Sequence, residues 1–156
     1  MQCNMDPEFF VKFSDILFER SVAGDNGQCR MWVGCADKYG YGRIWANGRN
    51  MGAHRLAFIV HNKVKHIEEL KGKHVSHLRH NKLCINTAHL SLEDQETNNQ
   101  RRTCVTAKHC LGHPGFKECL LTLRELLHAI MLRLLAITKR KARSTLERSE
   151  EHTSEL

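Results

Sequence analysis

The first hydrophobic pattern of the chain lies close to its N-terminus. From Glu8 to Arg20, apolar side chains recur at intervals of three and four residues. They are Phe9, Phe10, Phe13, Ile16 and Leu17. This spacing places them on one face of a helix. We predict a short amphipathic helix that serves packing and not chemistry.

The pattern changes after residue 28 to that of short strands. Trp32 and Val33 are followed by the run Tyr39–Trp45, and then by Asn47-Gly48, a pair typical of a tight turn between strands. A small antiparallel sheet fits this segment. The next stretch, Ala53–Asn62, favours a helix because it lacks glycine and proline, although its β-branched residues leave a strand open.

A strand and a helix are also predicted in the second half of the chain. His74–Leu78 has the pattern of a short strand, and Arg79–Ala88 that of a polar loop. A helix over Glu93–Arg102 is expected to begin near Ser91, which has Asp94 three residues later in the manner of a capping box.

The last third of the chain combines a predicted loop with a predicted helix. Cys104–Cys119 shows no periodicity but is rich in cysteine and histidine, as in a loop that a bound ion holds in place. Leu120–Thr138 carries leucine and isoleucine at helical spacing. The final nine residues, Arg148–Leu156, look like the translation of a sequencing-adapter oligonucleotide, and we exclude them from the expected fold.

The positive charge of the chain is concentrated in its middle. The formal net charge is +7, and residues 29–119 contain 15 Lys and Arg but only 7 Asp and Glu. A concentrated basic region suits a polyanion such as nucleic acid, because Lys and Arg displace the counterions of phosphates. An ordinary solvated basic surface is the alternative.

Seven cysteines and eleven histidines are many for 156 residues. Met1–Phe10 contains two acidic residues and no apolar core, so we expect no signal peptide and an intracellular protein. Disulfides are then disfavoured, and a secreted disulfide protein is the weakest interpretation. Metal ligation explains the enrichment better. We expect no membrane span, since Leu120–Ile137 is interrupted by charged residues.

Two residues suit the hydrolysis of a phosphodiester bond. This reaction needs a base that deprotonates water and a divalent cation that stabilises negative charge. A neutral imidazole fits the first role, and an amide oxygen is a suitable ligand for Mg²⁺. His77 at the end of a predicted strand and Asn98 on the following helix could face one cleft.

The segment Ser76–Leu90, together with Asn98 and Cys104, resembles the His-Cys box of the ββα-metal homing endonucleases. The histidine, the cysteine, the Asn-x-x-His-Leu run, the helical asparagine and the next cysteine are in register. The resemblance covers about Cys29–Cys119. It implies that His77 is the general base, that Asn98 is the protein ligand of Mg²⁺, and that zinc holds the surrounding loops.

Residues upstream of the box also look like those of related HNH nucleases. Gly40-Tyr41-Gly42-Arg43 and Ala53-His54-Arg55-Leu56 resemble the hairpin and helix that precede the catalytic strand in that group. Arg43 or Arg49 is expected near the scissile phosphate, with His54 in support. Solvated surface arginines are the alternative.

The resemblance implies up to two structural zinc sites. For the first, Cys104, Cys110, His113 and Cys119 form a complete set of four ligands, with His109 as a rival. The second departs from the family pattern, which expects a cysteine where this chain has Arg79. A guanidinium cannot ligate a cation. The candidate ligands of this site are Cys29, Cys84 and His89, with Cys35 or His80 as replacements, and packing without zinc is the alternative.

These expectations combine into an α+β fold with five segments. A helical lead (1–27) precedes a ββα-metal nuclease core (28–103), a zinc-binding loop (104–119), a C-terminal helix (120–147) and the excluded tail (148–156). The function predicted is a metal-dependent endonuclease of double-stranded DNA that uses Mg²⁺ and zinc. The sheet would place Arg30, Lys38, Arg43 and Arg49 against DNA.

The oligomeric state and the retention of cleavage each have two interpretations. The apolar face of Leu120–Ile137 could meet a second copy in a homodimer, or could fold back on its own core. The alternative function is a zinc-stabilised DNA-binding module that has lost cleavage. Such a module would need the basic sheet and the zinc loop, but not both His77 and Asn98.

Overall fold

A computed structural model describes residues 5–24, 28–121 and 131. These parts of the chain contain three α-helices and three two-stranded antiparallel sheets, which confirms the predicted α+β class. The helices are α1 (Pro7–Glu19), α2 (Ala53–His61) and α3 (Gln95–Ala107). The strands are β1 (Ser21–Ala23), β2 (Arg30–Trp32), β3 (Arg43–Ala46), β4 (Arg49–Gly52), β5 (His74–His77) and β6 (Leu90–Glu93).

Helix α1 begins where its local sequence supplies a start signal. The Asp6 side chain accepts a hydrogen bond from the Phe9 backbone N–H at 2.8 Å, and Pro7 occupies the first turn, where its missing N–H has no cost. Phe13 and Leu17 are buried against the core. The predicted amphipathic helix is confirmed.

Strands β3 and β4 form a tight hairpin. Asn47 and Gly48 connect them with φ angles of +50° and +72°, the left-handed pair that a two-residue turn requires. Ile44 pairs with Met51, and both side chains enter the core. Trp45 faces the other side of the hairpin and is 70% exposed.

Helix α2 follows β4 directly and forms the centre of the core. Leu56 and Ile59 are completely buried, so the helical prediction is confirmed and the strand alternative is wrong. The spacing of these apolar residues fits one helix face, which outweighs the strand preference of their β-branched neighbours. The core cluster also takes side chains from α1 and from both strands of the hairpin.

The predicted start of α3 at Ser91 is wrong. Ser91 lies in β6 and pairs with Ser76 of β5, because Leu90 and its neighbours complete the ladder and bury their side chains. Asp94 is the N-cap, and it accepts a hydrogen bond from the Thr97 N–H at 2.7 Å. The helix also extends further than expected, so that Cys104 lies on α3 and not in the loop.

Beyond α3, the described chain turns back onto the sheet. The backbone N–H of Leu120 donates to the carbonyl of Leu78, just after β5, at 2.7 Å. The C-terminal helix predicted over residues 120–147 and the tail 148–156 lie almost entirely outside the described residues. Within the described part, every helix is too short or too polar to cross a membrane.

Candidate functional site

A cleft of about 720 Å³ opens between β5, α3 and the segment before β3. Its wall contains three residues that were predicted to share a site, His54, His77 and Asn98. Tyr41 and Lys82 also line it, and sequence reasoning did not single them out. Tyr41 lies between two glycines, a mark of a constrained turn, but nothing local indicates which cleft a turn will border.

His77 is held in one orientation at the end of β5. It is only 8% exposed, and its Nε2 lies 3.1 Å from the carbonyl oxygen of Cys84. A carbonyl can only accept, so Nε2 must carry the hydrogen, which leaves the lone pair on Nδ1. Burial is the main cause that lowers the His77 pKa to about 4, and nearby His80 adds to it. His77 is therefore neutral at pH 7, the form that a general base needs.

His54 lies beside His77 in the same cleft. The two ring centroids are 4.4 Å apart, and Tyr41 stands about 6 Å from both, at 5.9 and 6.0 Å. Burial, followed by the charge that His77 would carry, lowers the His54 pKa to about 3. Two neutral imidazoles can pack this closely, whereas two imidazolium ions would repel each other. The Nδ1 atom of His54 is buried without a hydrogen-bond partner.

Asn98 is fixed by a neighbour of His77. It is the fourth residue of α3, and its Oδ1 accepts a hydrogen bond from the hydroxyl of Ser76 at 2.7 Å. In this arrangement the amide oxygen faces Ser76, and an amide oxygen has a second lone pair. The residue fits a hard cation such as Mg²⁺, because one oxygen acceptor remains at the edge of a cleft that has room for water. Ser76 directly precedes His77 in the sequence, and this position is the signal that could have identified Ser76 as the residue that orients Asn98.

Arg43 and Arg49 line a separate groove of about 480 Å³ beside the hairpin. Arg55 and Lys71 border the same groove, which gives it a concentration of positive charge. The groove and the cleft are lined by neighbouring parts of the sequence. Strand β4, which borders the groove, runs directly into α2, and His54 of the cleft is the second residue of that helix. The structure thus places the two arginines next to the cleft and not in its wall.

The two other predicted DNA contacts differ in their surroundings. Arg30 packs over the Phe18 ring at 4.2 Å and donates to the Ser21 hydroxyl and the Phe18 carbonyl, so its guanidinium is engaged within the protein. Lys38 stands 5.0 Å from the ring of Tyr39, which lines the cleft. Lys38 is therefore next to a residue of the cleft wall.

One cluster of four ligands suits a closed zinc site. The ligand atoms of Cys104, Cys110, His113 and Cys119 all lie within 4.8 Å of one another. His113 Nε2 is 3.4 Å from the Cys104 sulfur and 3.3 Å from the Cys119 sulfur. A tetrahedral zinc with ordinary bond lengths separates such ligands by about 3.5 Å, so the set fits. The rival His109 is outside this set and faces the Ala107 carbonyl at 2.8 Å.

A second cluster of the described residues offers three ligands. Cys29, Cys84 and His89 could hold a metal ion, and His89 Nδ1 lies 3.7 and 3.5 Å from the two sulfurs. The replacements Cys35 and His80 do not belong to it. Cys84 links this cluster to the cleft, since its carbonyl holds His77.

Arg79 stands beside this second cluster. It hydrogen-bonds to Gln28. Burial, followed by the positive charge of Arg79, lowers the pKa of His89. Burial and the neighbouring Cys84 thiol raise the pKa of Cys29 to about 11, and the charge of Arg79 offsets part of this rise. At the position where the family pattern has a ligand, this chain therefore carries a cation close to Cys29 and His89.

A buried ion pair supports the four-ligand cluster. Arg101 binds both carboxylate oxygens of Glu93, with its Nε at 2.8 and 2.9 Å and Nη2 at 2.6 Å. It also donates to the Cys119 sulfur at 3.4 Å and to the Lys117 carbonyl at 2.8 Å. Sequence reasoning missed this pair, because nothing local to α3 shows that Arg101 points inward.

The arrangement is that of a nuclease-like module with two clusters that could hold metal ions, and the comparison with protein families agrees. Residues 26–120 match the family described as the zinc-binding loop region of homing endonuclease. The chain belongs to this family. The match extends from before β2 to just past Cys119 and contains both clusters and the cleft. No curated protein and no solved structure matches the chain.

Proposed function

We propose that the protein is a metal-dependent endonuclease that hydrolyses phosphodiester bonds of double-stranded DNA. The observation that carries this proposal is the state of His77. It is neutral and its Nε2 is anchored to the Cys84 carbonyl, so that its unprotonated Nδ1 is available in the cleft that also contains Asn98. A structural role alone would not require the base and the amide to share one cleft.

The chemistry of the described residues follows from this geometry. His77 Nδ1 takes a proton from a water molecule, whose oxygen forms a bond to phosphorus while the bond to the 3′ oxygen breaks. The departing oxygen takes a proton from solvent. Mg²⁺ held by Asn98 would supply stabilisation of the negative charge on the phosphate and on the leaving oxygen. Ser76 keeps the Asn98 oxygen oriented.

The basic surface next to the cleft supports double-stranded DNA as the substrate. Lys82 lies in the cleft, where its ammonium group donates to the Tyr39 carbonyl at 2.9 Å. Arg43 lies two residues before the exposed Trp45 on β3, and Arg49 begins β4 of the same hairpin. An antiparallel hairpin with this charge can enter the major groove and contact phosphates and base edges. A homodimer formed through Leu120–Ile137 would cut both strands.

A plasmid-nicking assay tests the proposal. With Mg²⁺ the purified protein should nick supercoiled plasmid, and omission of Mg²⁺ should stop the reaction. His77→Ala should lower kcat by about 10²–10⁴-fold, the usual effect of losing a general base. His61→Ala is the matched control, because His61 is an exposed residue at the end of α2. Undiminished cutting by His77→Ala would refute the mechanism, and DNA binding without cutting by the wild type would favour the binding module.

A further inference from the structure

The guanidinium of Arg101 joins three parts of the molecule. It reaches Glu93 at the end of β6, and it reaches the Lys117 carbonyl and the Cys119 sulfur in the loop after α3. The Arg101 side chain is 3% exposed and that of Glu93 is 0% exposed. A surface ion pair adds little to the stability of a fold. Here both charges are removed from water, so the loss of a contact would leave a buried charge less well compensated.

Arg101 uses most of its hydrogen-bonding capacity in these contacts. Its Nε and one N–H of Nη2 donate to the Glu93 carboxylate. The other N–H of Nη2 donates to the Lys117 carbonyl, and Nη1 donates to the Cys119 sulfur. A planar guanidinium has five N–H groups in a fixed fork, so engaging four of them with three residues defines its position. A lysine ammonium at this place could not satisfy the same set.

The position of Arg101 along α3 relates the loop to the cleft. Asn98, Arg101 and Cys104 are spaced by three residues, which places them along one side of the helix. Asn98 borders the cleft, Cys104 belongs to the four-ligand cluster, and Arg101 lies between them and lines the cleft as well. A shift of α3 at Arg101 would therefore displace both Asn98 and Cys104.

We infer that Arg101 is a positioning residue that couples metal binding by the four-ligand cluster to metal binding by Asn98; this rests on the proposed function. A metal ion in the cluster would fix Cys104 of α3 and Cys119 of the loop relative to each other. Arg101 donates to Cys119 as well as to Glu93, so occupancy of the cluster fixes the loop side of contacts that also hold α3 to β6. With α3 held in this way, Asn98 stays at the Ser76 hydroxyl, with its oxygen available to a cation.

The first test compares Arg101→Lys with Arg20→Lys, the same substitution at the exposed C-cap residue of α1, which does not line the cleft. Three quantities are measured in each zinc-loaded protein: zinc per chain by elemental analysis, the Kd for Mn²⁺ by electron paramagnetic resonance, and the Mg²⁺ concentration that gives half-maximal nicking. Arg101→Lys should retain its zinc, yet raise the Mn²⁺ Kd and the Mg²⁺ requirement about tenfold, as loss of an outer partner typically does. Arg20→Lys should change neither the Mn²⁺ Kd nor the Mg²⁺ requirement by more than about twofold. An unchanged Mn²⁺ Kd in Arg101→Lys would overturn the coupling.

The second test needs no variant and covers the case in which Arg101→Lys does not fold. Coupling between two sites is reciprocal. Saturating Mn²⁺ should therefore tighten zinc binding by the wild-type protein by the same factor by which bound zinc tightens Mn²⁺ binding. Competition with a zinc-selective chelator, with and without Mn²⁺, measures this. Equal zinc affinity in both conditions would overturn the inference. Wild-type protein that shows the reciprocity but never nicks DNA would refute the proposed function alone.

Discussion

Replacing Glu93 by glutamine should destabilise the fold severely. The substitution keeps the shape of the side chain but removes the charge that balances Arg101, and the new amide group directs N–H donors at the guanidinium. The pair is almost fully buried, and both carboxylate oxygens accept from Arg101. Removal of one partner of such a pair leaves an uncompensated buried charge, which costs about 3–5 kcal/mol. That is a large share of the roughly 5–15 kcal/mol by which small domains are stable.

Urea unfolding at pH 7 measures this loss, with the zinc concentration fixed because bound metal adds to apparent stability. The matched control is Glu96→Gln, the same substitution at an exposed position in the first turn of α3. It should cost less than about 1 kcal/mol. If Glu93→Gln lost no more than the control, the pair would behave as a solvated surface pair, and the structural argument for Arg101 would fail.

Three other predictions follow from the described residues. The pKa values of His54 and His77 are lower in the folded protein than in the unfolded chain. The free energy of unfolding should therefore fall when the pH is lowered from 7 to 5.5, by about 1 kcal/mol for each histidine. Equal urea midpoints at both pH values would contradict this. Cys104→Ser should lower the zinc content by one ion per chain, whereas Cys35→Ser, outside both clusters, should not; elemental analysis decides, and retention of all zinc by the first variant would exclude the site. Trp45→Ala should weaken DNA binding in a filter assay with little change in stability, because the side chain is exposed; an unchanged Kd would remove the hairpin from the interface.

The sequence alone predicted the elements whose signals are local. The α1 stripe, the Asn47-Gly48 turn and the α2 pattern depend on residues within one or two turns of each other, and the structure confirms them. The start of α3 was misplaced because Ser91 has the local form of a cap, while its pairing with Ser76 comes from a strand fifteen residues away. Long-range pairing overrides a local cap when it also buries apolar side chains.

The candidate site divides in the same way. The types and order of residues in the His-Cys box indicated His77, Asn98 and the ligand sets, since metal and base chemistry restrict which side chains can serve. Only the tertiary structure decided which nitrogen of His77 is free, because the Cys84 carbonyl that sets it arrives from the following loop. It also decided that Arg101 is buried on Glu93 and Cys119, because burial depends on what packs against a helix and not on the residue itself.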